Sequence, residues 1–319
     1  MAITISGGVQ LSGPVVLTQS SGGSGPSGAS DGYVSGGDNG PSTYFNTIDK
    51  FSFSSDGDAT DVGDLTVART GLTGHSSTEN GYNSSGYLGG GNYSNTIDKF
   101  PFASDSNAAD VGDMAIFSQV RAGQSSSQSG YASGGLRPAV NPSFVIDIEK
   151  FPFSSDGNAT DVGDLTLARY FAVGNSSTEF GYSSGGVPGQ ITIDKFPFSS
   201  DSNATDVGDL IVGKFGGGGQ SSSASGYTSG GGNPAGSVLT IQKFPFSSDT
   251  NSAYVGDLSV AREGPSGQSS SGNGYTSGGQ TTPTNFLNTI DKFPFSSDGN
   301  ATDVGDLTVA RQGVAGQQG

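Results

Sequence analysis

The acidic residues of this 319-residue chain are concentrated in short loops of one recurring composition. The first loop runs from Asp56 to Asp64, and the six loops together hold 18 of the 29 acidic residues. Carboxylates at alternate positions beside a glycine are suited to wrap Ca²⁺. The pattern therefore offers as calcium-ligand candidates Asp56, Asp58, Asp61, Asp64, Asp156, Asp161, Asp164, Asp298, Asp303 and Asp306.

A turn-capping role explains the same carboxylates without a metal. Asp and Asn side chains accept hydrogen bonds from the backbone N–H groups of tight turns. The loops lack the twelve-residue spacing and terminal Glu of the common calcium-binding loop, and Tyr254 replaces the middle Asp of the fifth loop. We therefore favour turn capping and expect no cofactor, with Ca²⁺ as the alternative.

Most of the 13 basic residues also recur at fixed positions. One position is the Lys of Asp-Lys-Phe, at Lys50, Lys99, Lys150, Lys195, Lys243 and Lys292. The other lies five residues past the last Asp of a loop, at Arg69, Arg169, Lys214, Arg262 and Arg311, with Ser118 there in the second repeat. Such regularity indicates structural pairing with a neighbouring Asp more than a phosphate-binding patch. Ser118 implies that the pairing is not obligatory.

The remaining reactive side chains give little support to catalysis. The chain has no Cys and one His, which excludes disulfides, thiolate metal sites and multi-histidine metal sites. The polar residues outside the repeat pattern stand alone, at His75, Glu79, Glu149, Glu179 and Glu263. His75 replaces a Gln of the other repeats, as a polar substitute. We expect a non-enzymatic protein, since no carboxylate pair stands out as a glycosidase requires.

Charge and hydropathy exclude two partners. The formal net charge of −16 argues against binding nucleic acid through phosphates. No apolar run approaches the roughly 20 residues of a membrane span, so no membrane insertion is expected. The start of the chain carries no basic and apolar signal, so it does not read as a secretory signal peptide.

These residues belong to six copies of one repeat, which fill the chain beyond about residue 28. The copies are marked by the first Phe of Phe-Pro-Phe (Phe-Ser-Phe in the first), at Phe51, Phe100, Phe151, Phe196, Phe244 and Phe293. Period-2 alternation places Ile48 and Lys50 on one face of a strand and Asp49, Phe51 and Phe53 on the other. A second alternating segment, Asp64 to Arg69, predicts another strand. No window has a helical period.

Three to four short strands in each repeat match one blade of a propeller, at about 40–50 residues. We therefore predict an all-β, six-bladed β-propeller over residues 21–319, with a short β extension at residues 1–20. The last residues align with the start of a strand that the first repeat shortens, so the two chain ends are expected to complete one blade. The Phe and Tyr side chains are expected to pack blade on blade, with sugar stacking as the alternative.

The order of Arg69, a Gly-Tyr strand, a diglycine and an aromatic strand resembles the kelch repeat, although the kelch Trp is absent. The motif Lys-Phe-Pro-Phe-Ser-Ser-Asp is similar to the repeats of marine bacteriophage proteins, which are often tail-fibre or appendage proteins. The resemblance implies a kelch-like propeller in a virion. It implies attachment to other virion proteins through the N-terminal segment, homo-oligomerisation as an option, and contact with a host cell-surface glycan.

The expected contact surface is the set of segments that vary between the diglycine and Ile-Asp-Lys. These are residues 38–46, 91–95, 136–145, 187–190, 232–239 and 280–288. The function predicted from the sequence is a non-enzymatic structural component of a virion that is released by lysis. A glycan-binding adhesin on a bacterial surface is the first alternative, and a hydrolase or lyase on a propeller scaffold is the second.

Overall fold

A computed structural model describes residues 29–137, 141–187, 189–281 and 285–319. These residues form six four-stranded antiparallel sheets arranged as the blades of a propeller. The all-β, six-bladed prediction is thus confirmed. The described residues form no helix that is long and apolar enough to cross a membrane. The predicted N-terminal β extension and the start of the predicted propeller domain lie outside the described residues.

The first three blades contain the following strands. Blade 1 consists of β1 (Asp31–Ser35), β2 (Thr47–Ser52) and β3 (Thr60–Asp64), together with a strand from the end of the chain. Blade 2 consists of β4 (Thr73–Ser76), β5 (Asn80–Ser84), β8 (Thr96–Pro101) and β9 (Ala109–Asp113), with a small hairpin of β6 (Tyr87–Gly89) and β7 (Asn92–Tyr93). Blade 3 consists of β10 (Ala122–Ser125), β11 (Ser129–Ser133), β12 (Asp147–Pro152) and β13 (Thr160–Asp164).

The other three blades follow the same order from the axis outward. Blade 4 consists of β14 (Val173–Ser176), β15 (Phe180–Ser184), β16 (Thr192–Pro197) and β17 (Thr205–Asp209). Blade 5 consists of β18 (Gly218–Ser221), β19 (Ser225–Ser229), β22 (Thr240–Pro245) and β23 (Ala253–Asp257), with the hairpin β20 (Gly232–Asn233) and β21 (Gly236–Ser237). Blade 6 consists of β24 (Ser266–Ser269), β25 (Asn273–Ser277), β28 (Thr289–Pro294) and β29 (Thr302–Asp306), with the hairpin β26 (Gln280–Thr281) and β27 (Asn285–Phe286).

The ring is closed by the last strand of the chain, β30 (Ala315–Gln318). This strand pairs antiparallel with β1, with Ser35 opposite Ala315 and Gly32 opposite Gln318. It supplies the innermost strand of blade 1, so the two chain ends complete one blade as predicted. With this strand in place all six blades have four strands, and the edges that remain are the short inner and outer strands of the blades.

One strand boundary predicted from the sequence is wrong. The outer strand of blade 1 is Thr60–Asp64 and does not continue through Leu65 to Arg69, so half of the acidic loop is in fact strand. In blades 2 to 6 the small-residue segment before the diglycine forms two strands separated by a short turn, as at residues 126–128 between β10 and β11.

The core lies between neighbouring blades. Ile48 and Lys50 face blade 2, whereas Phe51 packs with Tyr275 of blade 6, which confirms the predicted alternation. Each Gly-Tyr tyrosine contacts two phenylalanines of the next blade, and Tyr33 lies 5.4 Å from Phe100 and 4.9 Å from Phe102 between ring centroids. The same trio recurs at all six junctions, so the aromatic residues pack blade on blade as expected.

Strand direction separates the two ends of the ring. The strands of each blade run antiparallel, so the variable segments after the second strands emerge at one end. The junctions between blades lie at that same end, which we call the loop face. The acidic loops, between the third and fourth strands, lie at the opposite end, which we call the acidic face.

Candidate functional site

The acidic loops of the acidic face hold neighbouring blades together. The first Asp of each loop forms an ion pair with the recurring Lys of the preceding blade, as in Lys292 Nζ to Asp56 Oδ1 at 2.7 Å. The six Nζ–Oδ1 distances range from 2.6 to 3.6 Å. The lysines therefore pair with neighbouring Asp residues, as predicted. Each pair is partly exposed, and such pairs contribute little individually to stability.

The other polar residues of the loops cap backbone groups. Asp61 Oδ1 accepts a hydrogen bond from Gly63 N at 3.1 Å, and Asp161 and Asp303 do the same two residues ahead. The Asp58 carboxylate caps a different blade, since it accepts from the backbone N of Asp306 at 3.1 Å. Asn107 reaches back in the same way to Asp64 N. The predicted turn capping is present, and half of it crosses from blade to blade.

The calcium candidates are placed along the strand and loop without converging on one point. Among the described residues, no group of three or more Asp, Glu or His side chains is placed to hold a metal ion. Asp156 and Asp298 bind Lys99 and Lys243 instead. Asp164 and Asp306 contribute their backbone N–H to caps from the next blade. This arrangement favours capping, and calcium binding stays an untested prediction.

Five buried ion pairs join the blades closer to the axis. Each joins an Arg at a blade junction to a carboxylate on the third strand of the blade that follows, with N–O distances of 2.7 to 3.1 Å and both side chains fully buried. Burial lowers the pKa of Arg169, Arg262 and Arg311. The pairs are Arg69–Asp98, Arg121–Glu149, Arg169–Asp194, Arg262–Asp291 and Arg311–Asp49.

The second repeat keeps this pair although Ser118 stands at the usual position of the basic residue. Arg121, three residues further along the chain, donates to Glu149 at 2.7 Å and to the Ala132 carbonyl at 2.8 Å. Glu149 occupies the position that Asp98 holds in blade 2. In the second repeat the guanidinium is thus supplied from a different position in the chain, and its partner is a glutamate, whose side chain is longer than that of the aspartate in the other four pairs.

The junction into blade 5 has neither the arginine nor the carboxylate. Lys214 Nζ donates to the backbone carbonyls of Thr228 at 2.8 Å and Thr240 at 3.0 Å. Gln242, in the position of the carboxylate, accepts instead from Ile211 N and the Ser252 hydroxyl. Burial without an opposing charge lowers the pKa of Lys214 to about 7. The two replacements together keep an unpaired carboxylate out of this interface.

His75 belongs to a further buried ring around the axis. Gln124, Gln220, Gln268 and Gln317 each donate from Nε2 to the carbonyl of a Gly-Tyr tyrosine in the next blade. His75 is buried, with Nε2 at 2.9 Å from Ser84 Oγ and Nδ1 at 3.3 Å from the Gln124 carbonyl. Burial lowers its pKa to about 4. His75 is thus a neutral polar substitute for Gln.

A closed ring of backbone hydrogen bonds surrounds the axis at the loop face. One residue from each junction donates its N–H to the carbonyl of the equivalent residue one blade back, at 2.7 to 2.9 Å. All six have a left-handed backbone, with φ between 54° and 68°. We call this the junction ring, and its members are Gly71, Val120, Phe171, Gly216, Gly264 and Gly313.

The junction ring lines a cavity of about 360 Å³ on the axis, which we call the axial mouth. Every junction contributes to its wall, together with Asp38 and Gln280, which follow two of the diglycines. Glu263 is isolated in the sequence, but the fold brings it into this cavity. Val120 and Phe171 were not predicted as site residues, although both occupy a position where the other four repeats have Gly.

No protein-family model matches the chain, and no curated protein matches it.

Proposed function

We propose that this chain is a non-enzymatic structural component of a bacteriophage particle, a fibre, knob or appendage subunit that presents its loop face to the host surface. The observation that carries the proposal is that the recurring residues and the variable residues have different positions in the ring. The recurring charged residues form ion pairs and the recurring aromatic residues pack on one another between blades. The segments that differ among blades begin and end at the loop face.

The basic residues illustrate how fully the recurring groups are committed. Of the 13 Lys and Arg side chains, 11 form ion pairs and Lys214 binds two carbonyls, which leaves only Arg137 outside this set. A scaffold of this kind supplies stability and presentation. Chemistry on a substrate requires groups that the scaffold has not already used.

The resemblance of the repeat sequence to phage repeat proteins favours a place in a virion. The order of Arg, Gly-Tyr and diglycine favours a kelch-like relationship. In this proposal the N-terminal segment attaches the ring to other virion proteins. The loop face contacts a host glycan weakly, and several copies of the protein add avidity.

The test is immunogold electron microscopy of the source culture with an antibody raised against the purified propeller. Serum that has been absorbed with the same protein provides the control. Gold on phage particles, at a fixed position on tail, head or appendage, is the expected result. Gold on cell envelopes and not on particles would overturn the virion proposal and would favour a bacterial surface adhesin.

A further inference from the structure

The axial mouth is built from equivalent positions that do not carry equivalent residues. Three successive junctions supply apolar side chains, Val120, Phe171 and Phe215, with the two phenyl rings 6.4 Å apart between centroids. The junctions on the other side supply Glu263 and Gln312, and Asp38 joins them from blade 1. The cavity therefore has one apolar wall and one acidic wall, although it lies on the axis of a sixfold repeat.

Two of the apolar residues are held in an unfavourable backbone conformation. Val120 has φ of 54° and Phe171 has φ of 56°, a region that costs a β-branched or bulky residue about 1–2 kcal/mol. Four other repeats avoid this cost with Gly at the same position. Both side chains line the cavity, so the departures from Gly coincide with the wall that they build. Strain of this kind is a pointer to function when it is observed at a cavity.

The acidic wall is held in place by neutral groups. Asp38 accepts hydrogen bonds from the Thr70 hydroxyl at 2.6 Å and from Gly40 N at 3.2 Å. Glu263 Oε1 accepts from Gln280 Nε2 at 3.1 Å. No Lys or Arg lies among the described residues that line the mouth. The two carboxylates are thus oriented without a cationic partner, on a protein of net charge −16.

We propose that the axial mouth binds an organic cation that carries its charge on an apolar body, such as an aryl- or alkylammonium group. The apolar part packs on Val120, Phe171 and Phe215, and the ammonium donates to Asp38 and Glu263. A cavity of this size is within the usual range of small-ligand sites. A cation near an aromatic face gains further attraction. The proposal goes beyond the proposed function, since binding in the mouth does not depend on where the protein is displayed.

The test is calorimetric titration of the full chain with four matched probes. Benzylamine has both features, benzyl alcohol lacks the charge, methylamine lacks the apolar body, and benzoate has the opposite charge. We expect saturable binding of benzylamine that is at least about tenfold tighter than binding of each other probe, because a hydrogen bond to a charged group contributes that much. Equal binding of benzyl alcohol, or no binding of benzylamine, would overturn the proposal.

Variants locate the binding at the mouth. Glu263→Gln is expected to weaken benzylamine binding by about tenfold and to leave benzyl alcohol unchanged. Phe171→Gly removes an apolar side chain of the mouth, so it is expected to weaken benzylamine binding. Because it restores the Gly of four other repeats at a left-handed position, we expect it not to lower the melting temperature. Glu79→Gln, which removes the same charge from an exposed loop at the other end of the ring, is the control and leaves binding unchanged. Equal loss in Glu79→Gln, or no loss in Glu263→Gln, would contradict the assignment.

Discussion

Two rings of six equivalent residues surround the axis only three residues apart in the chain, and they treat glycine differently. The inner ring consists of Gly74, Gly123, Gly174, Gly219, Gly267 and Gly316. A Cβ added to any of them would collide with the backbone oxygen of the equivalent glycine one blade back, and these contacts close around the whole ring. All six repeats therefore keep Gly there.

The junction ring has the backbone that favours Gly, yet it gives up Gly twice. Here a Cβ costs conformational energy, but it would come no closer than 3.2 Å to the backbone of another blade at any of the four glycines, so side chains such as Val120 and Phe171 are tolerated in this ring. The comparison shows what limits variation in a repeat. Steric contact between blades forbids change, whereas local strain permits change where another contribution offsets it.

The largest loss of stability is expected at the buried Arg–carboxylate pairs, which recur at five of the six junctions. Arg169→Met leaves Asp194 buried without its partner, so we expect it to lower the free energy of unfolding by about 3–5 kcal/mol. Lys214→Met is the matched variant at the one junction without a carboxylate, and it should stay within about 1 kcal/mol. Denaturant titration at pH 7 measures both. Equal losses in the two variants would show that charge pairing is not the cause.

The inner ring is tested by one methyl group. Gly174→Ala forces a Cβ onto the Gly123 carbonyl, and we expect a loss of roughly 3 kcal/mol, at the upper end of overpacking costs. Gly157→Ala places the same methyl group in open space on the acidic face and serves as the control, with a change below about 1 kcal/mol. A Gly174→Ala protein as stable as the control would remove the steric explanation for the six glycines.

The stability of the protein is expected to depend on pH through Lys214, the buried lysine at the junction that has no carboxylate. The folded chain releases the Lys214 proton near pH 7, whereas the unfolded chain holds it to about 10.5, so folding releases a proton in that window and stability rises with pH. From pH 7 to 9 we expect the free energy of unfolding to increase by roughly 2 kcal/mol, since one pKa unit corresponds to about 1.4 kcal/mol. Lys214→Met should flatten this rise, and an identical slope in both proteins would exclude Lys214 as its source.

The smallest effect concerns the junction ring. Val120→Gly and Val120→Ala both remove the apolar side chain, but only Gly relieves the left-handed backbone. We therefore expect the Gly variant to be about 1 kcal/mol more stable than the Ala variant, the reverse of their order in ordinary strands. Thermal unfolding compares the two. A more stable Ala variant would mean that Val120 is not strained.

The sequence alone determined the fold class, the number of blades and the closure of blade 1. The repeat of Phe51 and its five equivalents fixes the number of blades, and the alternation from Ile48 to Phe51 fixes which face meets which neighbour. The match of the last residues to a shortened first strand predicts β30. These features are local or periodic, so they can be read from spacing.

Only the tertiary structure decided which residues meet across the ring. Ser118 stands where the other repeats have a basic residue, and Arg121, three residues further along, takes over the ion pair because its guanidinium reaches the same buried position. The spacing of residues in the sequence does not show this substitution. Glu263 and Phe171 are 92 positions apart and stand isolated in the sequence, yet closure of the ring brings both to the axis. Contacts between blades depend on packing in three dimensions, and a repeat pattern specifies positions without specifying what faces them.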